Sequence, residues 1–402
     1  MSIARNIVLT SVLLLAVVSC GKRSGGTGSA PANEVYSINI LTDNEITFDK
    51  KSDCLIVCGN DTLRGRVHCR GGGSSKYYKH SFAVKLDKRY PLTDMPSDKD
   101  WILNASFIDK TFLRHKLSFD IYRAMHDDNK APMCTYAELY VNGDYAGLYV
   151  VMQKMDASTL DIDKTSSEAA VFKDPPIFFE NHTTPQDSTN YYHQKYPKKR
   201  KDDRTWQADA LHSLVFDSDD STFNRTVGQM FDLRNIRDWH ILLMLTNNSD
   251  GILKNFYIYK SSDSLPFRVA AWDYDHSFGR DGDGEYNMLQ NNVDIYRNML
   301  LKRLMRMPEY RQQLSRRWRE LRENRVIDYT AIEQRMDADI RTIRAAAAHN
   351  ATLWPYDEPY FYDGMDFDEE TDIMKTFTRL NIERLDHYFA NINNKINRKK
   401  LK

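Results

Sequence analysis

Hydrophobic and polar residues alternate in short runs between residues 36 and 86. Turn residues, among them Gly59, Asn60 and Asp61, separate these runs, and residues 80–86 read HSFAVKL. Alternation with a period of two is typical of strands that bury one face. The pattern therefore predicts a small antiparallel sheet in this part of the chain.

A helix and a hairpin are predicted next. Residues 109–126 carry hydrophobic side chains at helical intervals, which indicates an amphipathic helix. The residues with this spacing are Phe112, Leu113, Leu117, Ile121 and Met125. Asn142 and Gly143 then separate two runs rich in Val, Tyr and Leu, which predicts a tight hairpin turn. Sheet, helix and hairpin together indicate a compact β-rich lobe over residues 36–155.

The second half of the chain has a different pattern. Residues 157–230 are polar and poorly periodic, so we expect an inserted segment with little core of its own, in which the run KYPKKRKDDR is a solvated loop. Two strands, NFYIYK and PFRVAAW, follow, and beyond residue 290 hydrophobic residues recur at helical spacing. A mainly helical lobe over residues 156–402 is therefore predicted.

The first 20 residues carry the pattern of an export signal. The apolar run Ile7–Val18 has the length of a signal peptide rather than of a membrane span. It ends in Ser-Cys, which resembles a bacterial lipoprotein signal with Cys20 as the lipidated residue; an ordinary secretory peptide is the alternative. Gly21 favours the outer membrane, and residues 21–35, rich in Gly and Ser, are expected to form a flexible tether. We expect a cell-envelope protein anchored to the membrane through a lipid on Cys20.

Composition narrows the class of protein further. The chain of 402 residues is 41% hydrophobic and 28% charged, which indicates a globular protein. Its 56 basic and 56 acidic residues give zero net charge, so no global field draws it to nucleic acid. In an exported chain, the four remaining cysteines permit one or two disulfides, and a metal site at them is disfavoured by their spacing. They are Cys54, Cys58, Cys69 and Cys134.

Acidic and amide side chains stand at the ends of two predicted strands. Asp250 is followed five residues later by Asn255, and Asp273 and Asp275 follow the next strand. Phosphoryl transfer to a hydroxyl needs a carboxylate that orients the nucleophile, oxygen ligands for a divalent cation, and a cation on the phosphates. Protein kinases place the first two groups at this spacing. Each residue alone could instead cap or form a turn, but their joint order favours the catalytic interpretation.

A phosphate-binding element is expected earlier in the chain. The run RGGGSS, from Arg70 to Ser75, precedes a predicted strand that carries Lys85. Backbone N–H groups of a glycine-rich loop can approach phosphate closely. The loop and the lysine could therefore supply the cationic part of such a site.

Five segments, in order from about residue 36 to 280, resemble the spore-coat protein H (CotH-type) kinase family. They are RGGGSS, DWILNASFIDKTFLRHKLSFDIYRAM, ELYVNGDYAGLYVVMQKMD, NSDGILKNFYIY and AWDYDHSFG. The resemblance implies an α+β, atypical protein-kinase-like two-lobed fold with a β-rich N-lobe and a mainly helical C-lobe. It also implies an enzyme that binds ATP with Mg²⁺ or Mn²⁺ and phosphorylates proteins on Ser.

The resemblance also implies roles for individual residues. Asp250 would be the catalytic acid, and Asn255 and Asp273 the metal ligands, with Asp275 of the same motif as a further expected metal ligand. The expected nucleotide-binding residues, the last three as a hinge beside adenine, are Arg70, Gly71, Gly72, Gly73, Ser74, Ser75, Lys85, Gln153, Lys154 and Met155. The predicted helix of residues 109–126 has no Glu to pair with Lys85, so that ion pair is unassigned.

One alternative from another class of protein fits the same sequence. A non-catalytic cell-envelope lipoprotein could use the cleft to bind a ligand or a partner. The sequence favours the enzyme, because both metal-ligand positions and the catalytic carboxylate are present. The partners expected for the enzyme are a nucleotide, an exported protein acceptor with Ser and the membrane, and not a nucleic acid.

Overall fold

The computed structural model describes residues 35–178, 191–280, 292–355 and 364–392. The expected signal peptide, Cys20 and almost all of the tether lie outside these residues. Within them, no helix combines the length and the apolar composition that a membrane crossing requires.

Seven strands form a closed barrel. They are β1 Tyr36–Leu41, β2 Ser52–Cys58, β3 Asp61–Arg70, β4 Ser81–Tyr90, β5 Asp98–Asn104, β6 Cys134–Val141 and β7 Asp144–Gln153. Neighbours follow the order β1-β2-β3-β4-β5-β7-β6, and every pair is antiparallel except the closing one. There β1 runs parallel to β6, with pairs from Tyr36 with Ala137 to Ile40 with Val141. Alternate residues such as Ile38, Ile40 and Ile56 are buried in the barrel core, as the period of two predicts.

The predicted hairpin is present between β6 and β7. Asn142 and Gly143 have φ of 52° and 89°. Positive φ at both central residues is what a two-residue hairpin turn needs, and Asn-Gly supplies it with little strain.

Eight helices and a second sheet make up the rest of the described chain. The helices are α1 Arg114–Met125, α2 Thr205–Phe216, α3 Asp220–Met230, α4 Leu233–Thr246, α5 Met299–Arg306, α6 Pro308–Glu323, α7 Tyr329–Leu353 and α8 Phe367–Ala390. The second sheet is antiparallel in the order β11-β10-β8-β9, with β8 Ala170–Lys173, β9 Gln194–Tyr196, β10 Phe256–Lys260 and β11 Arg268–Ala271. The segment 157–230, expected to be a polar excursion, thus contributes β8, β9, α2 and α3.

The expected kinase-like, two-lobed fold is wrong, although the α+β class is right. The N-terminal sheet is a closed barrel, and barrel residues Ile102, Val150 and Met152 share one hydrophobic core with Trp239 of α4 and Leu385 of α8. Barrel and helices are therefore joined by a common core. The pattern along each strand shows which residues face inward, but it cannot show that the first and sixth strands meet.

The four cysteines among the described residues form no disulfide. Cys54, Cys58, Cys69 and Cys134 are all free thiols. Burial raises the pKa of the Cys54 thiol to about 11, so little of it is the reactive thiolate at neutral pH.

Candidate functional site

The ends of β10 and β11 bring the sequence-predicted acids to one edge of the second sheet. Phe256 pairs with Ala271, so Asn255 and Trp272 flank this pair at the same end. Asn255 and Asp273 have φ of 64° and 60°, in the left-handed region that Asn and Asp adopt more readily than most residues. Left-handed residues at the neighbouring ends of two strands redirect the chain there, which is common at functional sites.

Three side chains at this edge have the composition of a metal site. One nitrogen of His115 and one carboxylate oxygen each from Asp273 and Asp275 all lie within 4.8 Å of one another. His115 belongs to α1, and its Nε2 is 3.2 Å from Asp273 Oδ1 and 3.3 Å from Asn104 Nδ2. The His115 side chain is 3% exposed, whereas that of Asp273 is 42% exposed. This acidic cluster, made of His115, Asp273 and Asp275, therefore has a buried histidine on one side and an accessible carboxylate on the other.

The two carboxylates have opposite electrostatic environments. Burial raises the pKa of Asp273, but the hydrogen bond from His115 and the charges of His115, Lys173 and Arg70 outweigh burial and lower the pKa to about 2. Burial and the neighbouring charge of Asp273 raise the pKa of Asp275 to about 6. Asp273 is thus held as an anion, while Asp275 lacks enough positive charge beside it.

Asp250 approaches this cluster through His276. Asp250 lies in a short 3₁₀ turn, Asp250–Ile252, that follows α4. Its Oδ2 is 3.0 Å from Lys254 Nζ and 3.7 Å from His276 Nδ1, and His276 Nε2 is 4.0 Å from Asp275 Oδ1. His276 therefore lies between Asp250 and Asp275.

Another side chain accepts a hydrogen bond from the turn that contains Asp250. The Gly251 N–H donates to Asn248 Oδ1 at 2.8 Å, so the side-chain acceptor for this N–H is Asn248. The carboxylate of Asp250 is instead 30% exposed and paired with Lys254. This arrangement argues against the interpretation of Asp250 as a turn-capping residue.

Two cationic side chains lie close to Trp272, the residue that precedes Asp273. The Arg70 Cζ is 5.8 Å and the Lys173 Nζ is 5.6 Å from the ring centroid of Trp272, within cation–π range. Arg70 is the last residue of β3 in the barrel, and Lys173 is the last residue of β8 in the second sheet. The barrel and the second sheet each place one cation next to the acidic cluster.

A cleft of about 610 Å³ lies beside these cations. Its walls come from the barrel, from residues 154–158 and from the second sheet, with Val171, Tyr196 and Tyr257 as apolar surface. Acidic residues are in the minority: Asp98, Asp100 and Asp156. The basic residues that line it are Arg89, Lys99, Lys154, Lys164, Lys173, Lys195 and Lys198. This balance of charge favours an anionic ligand.

The residues expected to bind nucleotide divide into two groups. Lys154 and Met155 line the cleft. Lys85 is instead bound to Asp100 Oδ2 at 2.8 Å, and Gln153 accepts a hydrogen bond from the Met133 N–H through its side-chain Oε1.

The glycine-rich loop folds back on itself. Gly73–Lys76 forms a single 3₁₀ turn, and Ser75 Oγ donates to Gly72 O. Gly71 has φ of 147°, and a Cβ there would come within 2.5 Å of Ser74 Oγ. The loop therefore needs a glycine at this position. Of the predicted run from Arg70 to Ser75, the arginine is the residue that the structure brings to the acidic cluster.

Sequence reasoning missed His115, His276 and Lys173. His276 directly follows the Asp-Tyr-Asp motif, and this adjacency was an available signal. His115 is one of several polar residues on a helix predicted to be amphipathic, and Lys173 lies in the polar insertion, so neither had a pattern that singled it out.

Comparison with known proteins gives concordant matches. The family model described as CotH kinase protein matches residues 67–385. The chain is also 25% identical over 252 residues to the inner spore coat protein H of Bacillus subtilis (strain 168), which covers 61% of this chain and 68% of the relative. The family match includes the acidic cluster, Asp250 and both cations beside Trp272. The chain belongs to the CotH kinase protein family.

Proposed function

We propose that the chain is a metal-dependent kinase that transfers a phosphoryl group from ATP to a hydroxyl, the Ser side chain of an exported protein. The convergence of Asp250, Asp273 and Asp275 beside a cleft lined mainly by cations is the observation that carries this proposal. Such a site has the parts that phosphoryl transfer requires: a carboxylate for the nucleophile, ligands for a divalent cation, and positive charge for the phosphates.

The acidic cluster has the donors that a divalent cation needs. Asp273 and Asp275 would hold Mg²⁺ or Mn²⁺, with His115 behind Asp273 and the amide oxygen of Asn255 as a further ligand. The cation would neutralise charge on the phosphates. The raised pKa of Asp275 fits this assignment, because a bound cation supplies the positive charge that this carboxylate lacks.

Asp250 would act on the acceptor. Its carboxylate is accessible and lies one histidine away from the metal ligands. In that place it would accept a hydrogen bond from the Ser hydroxyl, orient the oxygen toward the terminal phosphate and take up the proton. Lys254, 3.0 Å away, would hold the carboxylate in position.

The test compares Asp250→Asn with the unmodified chain, using labelled ATP with Mn²⁺ or Mg²⁺ and a serine-containing protein. Because Asn keeps the shape but loses the charge, we expect transfer to fall roughly 10² to 10⁴-fold while nucleotide affinity persists. Asp127→Asn, on an exposed turn that carries none of the candidate site residues, is the matched control and should transfer normally.

Other outcomes separate the alternatives. Unimpaired transfer by Asp250→Asn would remove this residue from the mechanism. Nucleotide binding without any transfer by the unmodified chain would favour the non-catalytic lipoprotein that uses the cleft only to bind.

We also propose that the chain is held at the cell envelope, in the outer membrane, by a lipid on Cys20. The support is the Ser-Cys sequence after an apolar run of signal-peptide length. The Bacillus relative is named for the inner spore coat, so the lipid anchor is proposed from this chain's own N-terminus.

A further inference from the structure

We infer that Lys173, rather than Lys85, is the lysine that binds the phosphates of the nucleotide, and that the cleft accordingly selects a polyphosphate over a monophosphate. The inference rests on the proposed function, since it names the cation that the proposed donor site would use. It also assigns a ligand-binding role to the inserted segment, from which Lys173 comes.

The position of Lys173 is the first argument. Lys173 lines the cleft, and its Nζ lies 5.6 Å from the ring of Trp272, the residue before Asp273. Its strand is held in register by the pairing of Lys173 with Tyr257, which lines the same cleft. The lysine is therefore fixed where the cleft meets the acidic cluster.

The charge of Lys173 is only loosely compensated. Its one acidic contact among the described residues is Asp174, with Nζ 3.6 Å from Oδ2. Asp174 also accepts a hydrogen bond from the Phe256 N–H through Oδ1, at 3.0 Å, so its carboxylate is already held by the backbone. With its side chain 30% exposed, Lys173 can turn toward a ligand without breaking a close ion pair.

Lys85 is in the opposite situation. Its Nζ is 2.8 Å from Asp100 Oδ2, in direct hydrogen-bond contact, and it does not line the cleft. Asp100 also pairs with Lys154 at 3.3 Å, and these two lysines help to lower its pKa against the effect of burial. Lys85 thus holds a barrel carboxylate in place.

The surrounding cations indicate the class of ligand. Arg70 approaches Trp272 from the barrel, so Arg70 and Lys173 bring two positive charges to the residue next to Asp273. Burial and the nearby charge of Lys173 lower the pKa of Lys195, so the cations at this end of the cleft repel one another. A triphosphate with its metal ion would relieve that repulsion. A nucleoside monophosphate has only one phosphate group, which carries too little charge to interact with the cations on both sides of the site.

The experiment measures binding alone, by calorimetry on the full-length chain with ATP, AMP and inorganic triphosphate in the presence of Mn²⁺. We expect Lys173→Met to weaken ATP and triphosphate by about 10- to 100-fold, the loss of one charge-assisted contact, and to leave AMP nearly unchanged. Lys173→Arg should recover part of the loss. Lys85→Met should change ATP affinity by less than about threefold, as should Lys88→Met, an exposed control on the same strand.

Thermal unfolding of each variant shows whether lost binding reflects a lost fold. The inference is overturned if Lys85→Met loses ATP while Lys173→Met keeps it, a result that leaves the proposed kinase function standing. It is also overturned if the unmodified, folded chain binds neither ATP nor triphosphate, and in that case the proposed function fails with it. Tight binding of ATP without transfer would support the inference and contradict only the proposed reaction.

Discussion

At the scale of single residues, Asp275 makes the site sensitive to pH. Its pKa is raised from 3.8 to about 6 by burial and by Asp273, so the folded chain holds this proton more tightly than the unfolded chain. The free energy of unfolding therefore falls as pH rises from about 4 to about 6, and the loss persists at pH 7. Asp273 acts in the opposite sense: its lowered pKa adds stability that disappears only as pH falls from about 4 to about 2.

Asp275→Asn removes the unfavourable charge, so in EDTA at pH 7 we expect the variant to be more stable by on the order of 1 to 2 kcal/mol. At pH 4 the difference should vanish, because Asp275 is then protonated in the folded chain. Urea unfolding at pH 4 and pH 7 measures the difference in the free energy of unfolding at each pH, with Asp127→Asn as the control. Added Mn²⁺ should stabilise the unmodified chain more than the variant; a variant less stable than the parent at pH 7 without metal would contradict the account.

At the scale of elements, a buried network of ion pairs links the segment that follows the acidic cluster to α1 and α8. Arg114, at the start of α1, donates from Nε to Ser277 O at 2.9 Å and pairs with Asp109 and with Glu370 of α8. Arg280 also pairs with Glu370, and all four charged side chains are buried. The segment that follows Asp275 is thereby fixed to α1 and α8.

Glu370→Gln should destabilise the fold by about 3 to 5 kcal/mol, because it removes the carboxylate that two buried arginines share. We also expect weaker Mn²⁺ binding in the folded variant, since Ser277 and the residues before it lose part of their support. Urea unfolding and metal titration measure the two effects. Asp372→Asn, exposed on the same helix, should show neither, and an equally mild effect of both substitutions would rule out the network as a support of the site.

The elements that the sequence predicted correctly are those with a strong local signal. Asn142-Gly143 predicts its turn because the conformation is encoded in two residues. The helix expected over residues 109–126 begins only at Arg114, since Phe112 has φ of 59° and Asp109 accepts hydrogen bonds from the N–H groups of Thr111 and Arg114. Strands β8 and β9 have four and three residues, too few for a period of two to appear, so the elements that carry Lys173 and Lys195 could not be predicted.

At the scale of the whole molecule, the sequence predicted the α+β class but not the closed barrel. The acids of the candidate site were found because they follow strands in sequence. His115 and Lys173 were not found from the sequence. Their place beside Asp273 depends on how α1 and β8 pack against a segment that follows His115 by more than a hundred residues and Lys173 by about a hundred. Patterns along the chain indicate which residues are buried. A site assembled from distant segments can be recognised only in the tertiary fold.

The proposed anchor is also a property of the whole chain. If Cys20 is lipidated, the mature chain expressed in a bacterial host should partition into the membrane fraction, and intact mass should show an acylated cysteine at its N-terminus. Cys20→Ser should abolish both and leave the fold intact, because Cys20 precedes the barrel in sequence and residues 21–35 lie between them. An unmodified, freely soluble mature chain would contradict the proposal.

The parallel seam between β1 and β6 also sets the order in which the barrel can form. Tyr36 of β1 pairs with Ala137 of β6, so β1 to β5 precede in the chain both strands, β6 and β7, that complete the circle. Closure over such a separation is slow, because chain entropy is lost before the contact is made. Until then the sheet has unpaired edges, and an unpaired edge can accept a strand from another chain. The interval before β6 pairs with β1 is therefore a stage of folding at which we expect this protein to be open to misassembly.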